Sequence, residues 1–246
     1  MKSQRFLKFY QSESEKYHGL RYGGLYGKLF KTLHHEALSG FLVQADNSEP
    51  ILEIACGTGH TTGLLVKEGF DVIACDLTPG MMQRVSEQTG DQHEKVSFVR
   101  MDAFKLPFPD ACVSTVVSTR FLHLFPADEQ ELIITEMYRV LKPGGVVLVD
   151  FDSWVHRWCW ALPFALYNLL RYQRLAPYSI YNRIGRTITM ASRVGFSDIK
   201  VDGIGGAQLL LPALISGSTA LKVGRMHRRS VLRLIADQFM VCGKKY

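Results

Sequence analysis

The stretch Ile51–Gly59, which reads Ile-Leu-Glu-Ile-Ala-Cys-Gly-Thr-Gly, decides the fold. Its first four residues have the composition of a short buried strand, and two glycines follow just before a run with helical spacing. Glycine lets the backbone approach a ligand closely, and the first turn of a helix offers unpaired N–H groups. Such turns also use glycine for steric reasons alone. The stretch therefore predicts a strand–turn–helix unit with a candidate ligand site at the turn.

Beyond this unit, strand and helix patterns alternate along the chain. After the strand at 51–55 we predict strands at 71–75, 96–101, 113–118, 146–149, 198–201 and 238–241, and helices at 60–68, 128–141 and 187–194. The strands are short and rich in β-branched residues, which is typical of parallel strands covered on both faces. The fold class is therefore predicted as α/β, with a Rossmann-like, mostly parallel sheet and helices on both faces.

Composition narrows the class of protein. The chain has 246 residues, of which 47% are hydrophobic, and this supports one sizeable core. Its five cysteines form no CxxC pair and no Cys/His cluster with metal spacing, so we expect a reducing compartment and no metal. The first residues lack an apolar leader, and the uncharged stretch 203–221 contains proline and glutamine, which disfavours a membrane span. These features predict a cytoplasmic protein.

Charge is divided unevenly between the two parts of the chain. Residues 1–152 carry 15 Lys+Arg and 20 Asp+Glu, a net −5, whereas residues 153–246 carry 14 and 3, a net +11. All three tryptophans lie in the basic part, at Trp154, Trp158 and Trp160. An anionic membrane surface, which would place the protein at the inner face of a membrane, is one explanation. A solvated basic surface is the plainer one.

Two carboxylates follow predicted strands and suit a nucleoside. Asp76 ends the second strand 19 residues after Gly57, where it could accept hydrogen bonds from ribose hydroxyls. A helix-capping role for this aspartate is disfavoured, because Thr78 is expected to cap the next helix. Asp102 ends the third strand and could accept a hydrogen bond from an adenine amino group, although a surface-turn role stays open. Met81 could flank the adenine ring or simply fill the core.

Four segments, taken together, resemble a known family. ILEIACGTG, DLTPGMM, MDAFKLPFPDACVSTVVS and RVLKPGG resemble, in order and spacing, the motifs of class I S-adenosylmethionine (SAM)-dependent methyltransferases. The ubiquinone/menaquinone C-methyltransferase-like group, also called methyltransferase type 11, is the most similar. One departure is Ala55, where many members have glycine. An NAD site is disfavoured, because the G-x-G-x-x-G pattern is not present.

The resemblance implies SAM as the cofactor and a seven-stranded sheet whose last strand is antiparallel. The predicted cofactor-binding residues are Glu53, Ala55, Cys56, Gly57, Gly59, Asp76, Leu77, Met81, Asp102, Ala103, Phe104 and Thr119. We predict a single domain over 1–246. It comprises an N-terminal helical lid at 1–44, a SAM-binding core at 45–152, an aromatic and basic helical insert after strand five at 153–187, and a C-terminal part at 188–246 that completes the sheet.

The acceptor is less clearly defined than the cofactor. A small hydrophobic or aromatic molecule is the favoured acceptor, and a membrane lipid or quinone, RNA or protein are alternatives. RNA is disfavoured because no base-flipping tetrad follows the fourth strand. A SAM-binding protein without catalysis is a different class of function. His123 lies just past the fourth strand and is the candidate general base. A structural role at the entrance of a helix is the alternative for His123.

Overall fold

In a computed structural model, which describes residues 24–155, 158, 180–206 and 216–246, seven strands form one sheet in the order β3-β2-β1-β4-β5-β7-β6. Strands β1 to β5 pair in parallel, while β7 runs antiparallel to both β5 and β6. The predicted α/β class and the antiparallel last strand are confirmed. The carboxyl ends of β1 to β5 therefore meet at one edge of the sheet, called here the carboxyl edge.

The elements follow one another as strand and helix. The strands are β1 (Ile51–Ile54), β2 (Val72–Asp76), β3 (Val96–Arg100), β4 (Val113–Ser118), β5 (Leu141–Asp152), β6 (Phe196–Ile204) and β7 (Gln238–Lys245). The α-helices are α1 (Gly24–Leu42), α2 (His60–Lys67), α3 (Pro79–Met82), α4 (Val85–Thr89), α5 (Ala127–Val140), α6 (Ile184–Val194) and α7 (Gly217–His227). Short 3-10 helices span Gly90–Lys95, Leu122–Leu124 and Val231–Ile235.

Helices cover both faces of the sheet. On one face, buried residues of α5 and α6, such as Ile133, Met137 and Met190, pack with the strands. On the other face, α1 contributes Leu33 and Phe41 beside buried residues of α2 and α4. Burial of both faces explains the near-continuous apolar composition of the central strands. Because α1 belongs to this core, the predicted N-terminal lid depends on residues 1–23, which lie outside the described part.

Three strands are longer than predicted. The Lys-Pro-Gly-Gly segment, 142–145, was expected to separate a helix from the fifth strand, but β5 begins at Leu141 and includes it. Gly144 has a φ of 82°, and the pairing of β4 with β5 shifts register between Val113 and Thr115. The segment is therefore an irregularity within a strand. Strands β6 and β7 also extend beyond the predicted bounds because they pair with each other along their length.

The described part of the 153–187 insert is limited to its two ends. Ser153 forms an isolated parallel bridge with Asn182, which returns the chain to the carboxyl edge. Residues 156–157 and 159–179 lie outside the described residues, so the insert as a whole stays a prediction. None of the helices in the described ranges is long and apolar enough to cross a membrane.

Candidate active site

The glycine turn after β1 and the end of β2 are joined by Asp76. The backbone N–H of Gly57 donates to one carboxylate oxygen of Asp76 at 3.0 Å, and the N–H of Thr78 donates to the other at 2.8 Å. Burial raises the pKa of this carboxyl above its usual range, while the same N–H groups act in the opposite direction. The predicted ribose acceptor thus lies beside the predicted glycine turn, at the carboxyl edge.

Thr78 does not cap α3 as the sequence suggested. It occupies the N-cap position, but its side chain makes no capping hydrogen bond. Instead, its backbone N–H donates to the Asp76 carboxylate, which closes a turn over two residues. The aspartate therefore organises the chain after β2, and it also orients the glycine turn.

The two glycines of the turn have different roles. Gly57 has a φ of 53°, and a Cβ atom built there would meet nothing within 4 Å, so its backbone borders open space. Gly59 has a φ of 84°, and a Cβ there would lie 2.8 Å from the Cα of Val85. The expected approach to a ligand therefore applies to Gly57. At Gly59 the steric explanation is correct, since this glycine lets α2 pack against α4.

Ala55 adopts a left-handed backbone conformation with a φ of 60°. A Cβ atom makes this region unfavourable by roughly 1–2 kcal/mol, and glycine avoids that cost. The position where many similar methyltransferases have glycine is thus strained here.

The next residue, Cys56, is buried, and burial raises the pKa of its thiol far above the usual range. The thiol is accordingly kept in its neutral form.

Glu53 is a buried carboxylic acid in the middle of the site. Its side chain is 2% exposed and accepts a hydrogen bond from the Thr62 hydroxyl at 2.6 Å. Burial raises its pKa to about 7, and the nearby charge of Asp76 adds to this increase. A buried carboxylate beside a second one favours a cationic neighbour, because an unpaired buried charge is costly.

The loop after β3 contains the predicted adenine contacts. Asp102 is exposed, and its carboxylate accepts a hydrogen bond from the backbone N–H of Phe104 at 3.0 Å. Ala103 is buried, whereas Phe104 is partly exposed and meets Phe125 edge-on with ring centroids 5.4 Å apart. The turn role of Asp102 is therefore present, and its exposed carboxylate also remains accessible to a ligand.

Hydroxyl contacts fix the end of β4 against the glycine turn. The Ser118 hydroxyl donates to the Ile54 carbonyl at 2.9 Å, and the hydroxyls of Thr61 and Thr119 are 2.6 Å apart. Thr119 thus touches the first turn of α2, close to the predicted SAM site. Of the residues on the β2 side, Leu77 is half-buried and Met81 of α3 is buried.

His123 lies in the 3-10 helix that follows β4 and is 3% exposed. Its carbonyl accepts a hydrogen bond from the Ile180 N–H at 2.6 Å, where the chain returns from the insert. The structure therefore places His123 at the carboxyl edge, on the side of β4 away from β1. Its catalytic role stays a prediction.

A buried pair on the same side was missed by sequence reasoning. Asp150, which is 1% exposed near the end of β5, accepts hydrogen bonds from the Arg120 N–H at 2.6 Å and from His34 Nε2 at 3.0 Å. Arg120 has a φ of 61°, so the aspartate holds a strained backbone directly after Thr119. His34 and Asp150 are 116 residues apart, and the only signal in the sequence is an aspartate within the apolar strand.

Comparisons with known proteins agree with this geometry. Residues 51–145 match the protein family described as "Methyltransferase domain". A demethylmenaquinone methyltransferase from Streptomyces griseus is 35% identical over 112 residues, which are 45% of this chain and 46% of that protein. The chain thus spans about half the length of the curated relatives it matches.

Solved structures show the same fold. A SAM-dependent methyltransferase from Thermotoga maritima, described as a possible histamine N-methyltransferase, superposes with a TM-score of 0.64 over 98% of both chains at 14% identity. A second structure is that of phosphoethanolamine N-methyltransferase 2 from Haemonchus contortus, solved with phosphomonomethylethanolamine and S-adenosylhomocysteine. It superposes with a TM-score of 0.58 over 86% of this chain and 52% of that chain, at 20% identity.

The fold and the match define a class I SAM-dependent methyltransferase domain. The resemblance predicted from the four motifs is thereby confirmed, and SAM is the cofactor of this class. Over this part of the chain, the relatives at 35% and 34% identity are named demethylmenaquinone methyltransferases.

Proposed function

We propose that this protein transfers the methyl group of SAM to a small lipophilic acceptor of the quinol type. The observation that supports SAM binding, on which methyl transfer depends, is the placement of Asp76 beside the Gly57 turn, with buried Glu53 behind it. Two carboxyl groups and a glycine turn at one sheet edge suit a ligand that has ribose hydroxyls and a cationic part.

In this proposal six of the predicted residues face different parts of the cofactor. Asp76 receives the ribose hydroxyls, and Gly57 brings its backbone close to the ligand. Asp102 and the Ala103 N–H bind the adenine, and Phe104 lies next to them in the loop after β3. Glu53 faces the cationic end of SAM through the glycine turn. SAM supplies an electrophilic methyl group, so the protein must mainly align the acceptor and exclude water.

The proposed acceptor follows from the relatives. The Streptomyces griseus protein is named for demethylmenaquinone, whose reduced ring has a nucleophilic carbon. That ring carbon would form a bond to the methyl group while the bond between methyl and sulfur breaks, and the ring would then lose its proton to a base. We assign this base to His123, because it is buried at the carboxyl edge beyond β4.

A labelled-methyl assay tests the proposal. The full chain is incubated with SAM labelled in its methyl group and a reduced, prenylated demethylnaphthoquinone dispersed in detergent, and label is counted in the organic extract. We expect label in the extract with the wild-type protein and a large loss with Asp76→Ala. His93→Ala, at an exposed residue on the 3-10 helix Gly90–Lys95, is the matched control.

Parallel incubations separate the alternatives. Label transferred to RNA or to protein instead of the quinol would overturn the acceptor class and leave methyl transfer intact. SAM binding without label in the quinol, RNA or protein would favour the SAM-binding protein without catalysis.

A further inference from the structure

A short apolar helix is exposed at the carboxyl edge. The 3-10 helix Val231–Ile235 precedes β7, and four of its five residues are apolar and exposed. Val231 is 78% exposed and Leu234 is 47% exposed, while Met226 at the end of α7 is 74% exposed. Burying such side chains is favourable by roughly 25 cal/mol per Å² of apolar surface, so grouped exposure in a folded protein marks an interaction surface.

This helix is firmly attached to the sheet. A Cβ atom at Gly203 of β6 would lie 2.7 Å from the Cβ of Arg233, so the glycine allows the helix to pack directly on the strand. Ala236, which follows the helix, is 1% exposed. The Gly203 N–H also donates to the Arg228 carbonyl at 2.8 Å. The packed 3-10 helix therefore holds its apolar side chains in place where they are exposed to solvent.

The surroundings of the helix are basic. Residues 216–236 contain Lys222, Arg225, Arg228, Arg229 and Arg233 but no aspartate or glutamate. Three of these arginines form ion pairs with carboxylates. Arg225 pairs with Glu36 at 2.6 Å, and Arg228 and Arg229 both pair with buried Asp202 at 2.9 and 3.0 Å. Five basic residues against the carboxylates of Glu36, Asp202 and Asp237 still leave a net +2 around the apolar helix.

Aromatic residues lie at the same edge. The Ser153 N–H donates to the Asp237 carbonyl at 2.9 Å, which joins the end of β5 to the residue before β7. The next residue, Trp154, stacks on Trp158 with centroids 6.5 Å apart, and the Arg183 guanidinium lies 4.1 Å from the Trp154 ring centroid. Trp158 is 71% exposed. Tryptophan, aliphatic side chains and arginine together form the composition of surfaces that enter the boundary of a bilayer.

We propose that the 3-10 helix Val231–Ile235, together with the Trp154–Trp158 stack, docks the carboxyl edge onto an anionic lipid surface. The docking proposal rests on the proposed function in one respect, because the proposed lipophilic acceptor would dissolve in the bilayer that this surface contacts. The apolar side chains enter the headgroup boundary, and the net positive charge attracts the anionic lipid. The carboxyl edge, where the candidate site lies, then faces the membrane.

Co-sedimentation of the full chain with phosphatidylcholine vesicles, with and without phosphatidylglycerol, tests the surface. We expect binding that needs phosphatidylglycerol and weakens as salt rises. The double variant Val231→Asp/Leu234→Asp should lower the vesicle affinity roughly tenfold or more, because two aliphatic groups are removed and two like charges face the lipid.

The matched control is Leu132→Asp on α5, because Leu132 is an aliphatic residue with 59% exposure that lies outside the proposed docking surface. It should bind vesicles like the wild type. Equal loss in both variants, no vesicle binding, or binding to RNA instead would overturn the inference. Methylation of detergent-dispersed quinol should be unchanged in the double variant. Vesicle binding without quinol methylation would refute the proposed function alone, and quinol methylation without vesicle binding would refute the docking surface alone.

Discussion

The two halves of the carboxyl edge are built differently. On the cofactor side, at the ends of β1 to β3, Asp76 and Glu53 are held by hydrogen bonds from residues no more than 19 positions away. On the side where we propose that the acceptor binds, called here the acceptor side, at the ends of β4 to β7, Asp150 and Asp202 are held by residues up to 116 positions away. The cofactor side is thus held together by residues that are close in sequence, whereas the acceptor side depends on contacts between distant segments of the chain.

The largest expected effect lies on the acceptor side, at His123. If His123 is the general base, His123→Ala should lower turnover roughly 10²–10⁴-fold while SAM affinity stays the same. Single-turnover kinetics with the quinol acceptor and calorimetry with SAM measure the two quantities. A folded variant with wild-type turnover would return His123 to a structural role at the start of the 3-10 helix.

Removing the buried His34–Asp150 pair tests how much long-range contacts on the acceptor side contribute to the free energy of unfolding. Asp150→Ala leaves His34 and the Arg120 N–H without their buried acceptor, so we expect the free energy of unfolding to fall by roughly 3 kcal/mol. Denaturant unfolding measures it. The control is Asp110→Ala, because Asp110 is an exposed partner of Arg139 and surface pairs contribute about 0–1 kcal/mol. If both variants lost the same free energy of unfolding, the claim that the buried pair contributes more than the surface pair would be wrong.

Glu53 predicts a pH dependence confined to the cofactor side. Because burial raises its pKa to about 7, the carboxyl is protonated in the free protein below that pH. A cationic ligand favours the carboxylate, so SAM binding must release this proton, and SAM affinity should fall as pH decreases below 7. The limit is about tenfold per pH unit. Calorimetry in buffers of different ionisation enthalpy detects the released proton, and Glu53→Gln should abolish the dependence. A SAM affinity that is constant from pH 5 to 8 would contradict it.

The smallest effect concerns backbone strain at Ala55. Ala55→Gly relieves a φ of 60° and adds unfolded-state freedom, so a net gain of about 0.5 kcal/mol in unfolding free energy is expected. Ala37→Gly in the interior of α1 is the opposite control, with an expected loss of about 1 kcal/mol. Thermal unfolding of both variants measures the difference, and a destabilised Ala55→Gly would show that the strain is not relieved by glycine.

The contrast between contacts that are local and contacts that are distant in sequence also explains which features could be predicted from the sequence. The strand–turn–helix alternation from residue 51 to 149 and the placement of Asp76 beside Gly57 follow from short-range patterns, and both are present in the structure. The sequence left both a ligand role and a steric role open for Gly59, because Val85 meets this glycine only in the folded state. The lengths of β5 to β7 depend on antiparallel pairing between distant segments, and the partners of Asp150 and Asp202 are far along the chain. These features have no local signature.

Binding of SAM to the wild type and to Asp76→Ala, measured by calorimetry, tests the central claim most directly. The claim is that the cofactor lies at the carboxyl edge between the Gly57 turn and the end of β2. Loss of hydrogen bonds to a charged acceptor should cost roughly 1.5–3 kcal/mol, which is about ten- to a hundredfold in affinity. A folded Asp76→Ala variant that binds SAM as tightly as the wild type would contradict the account.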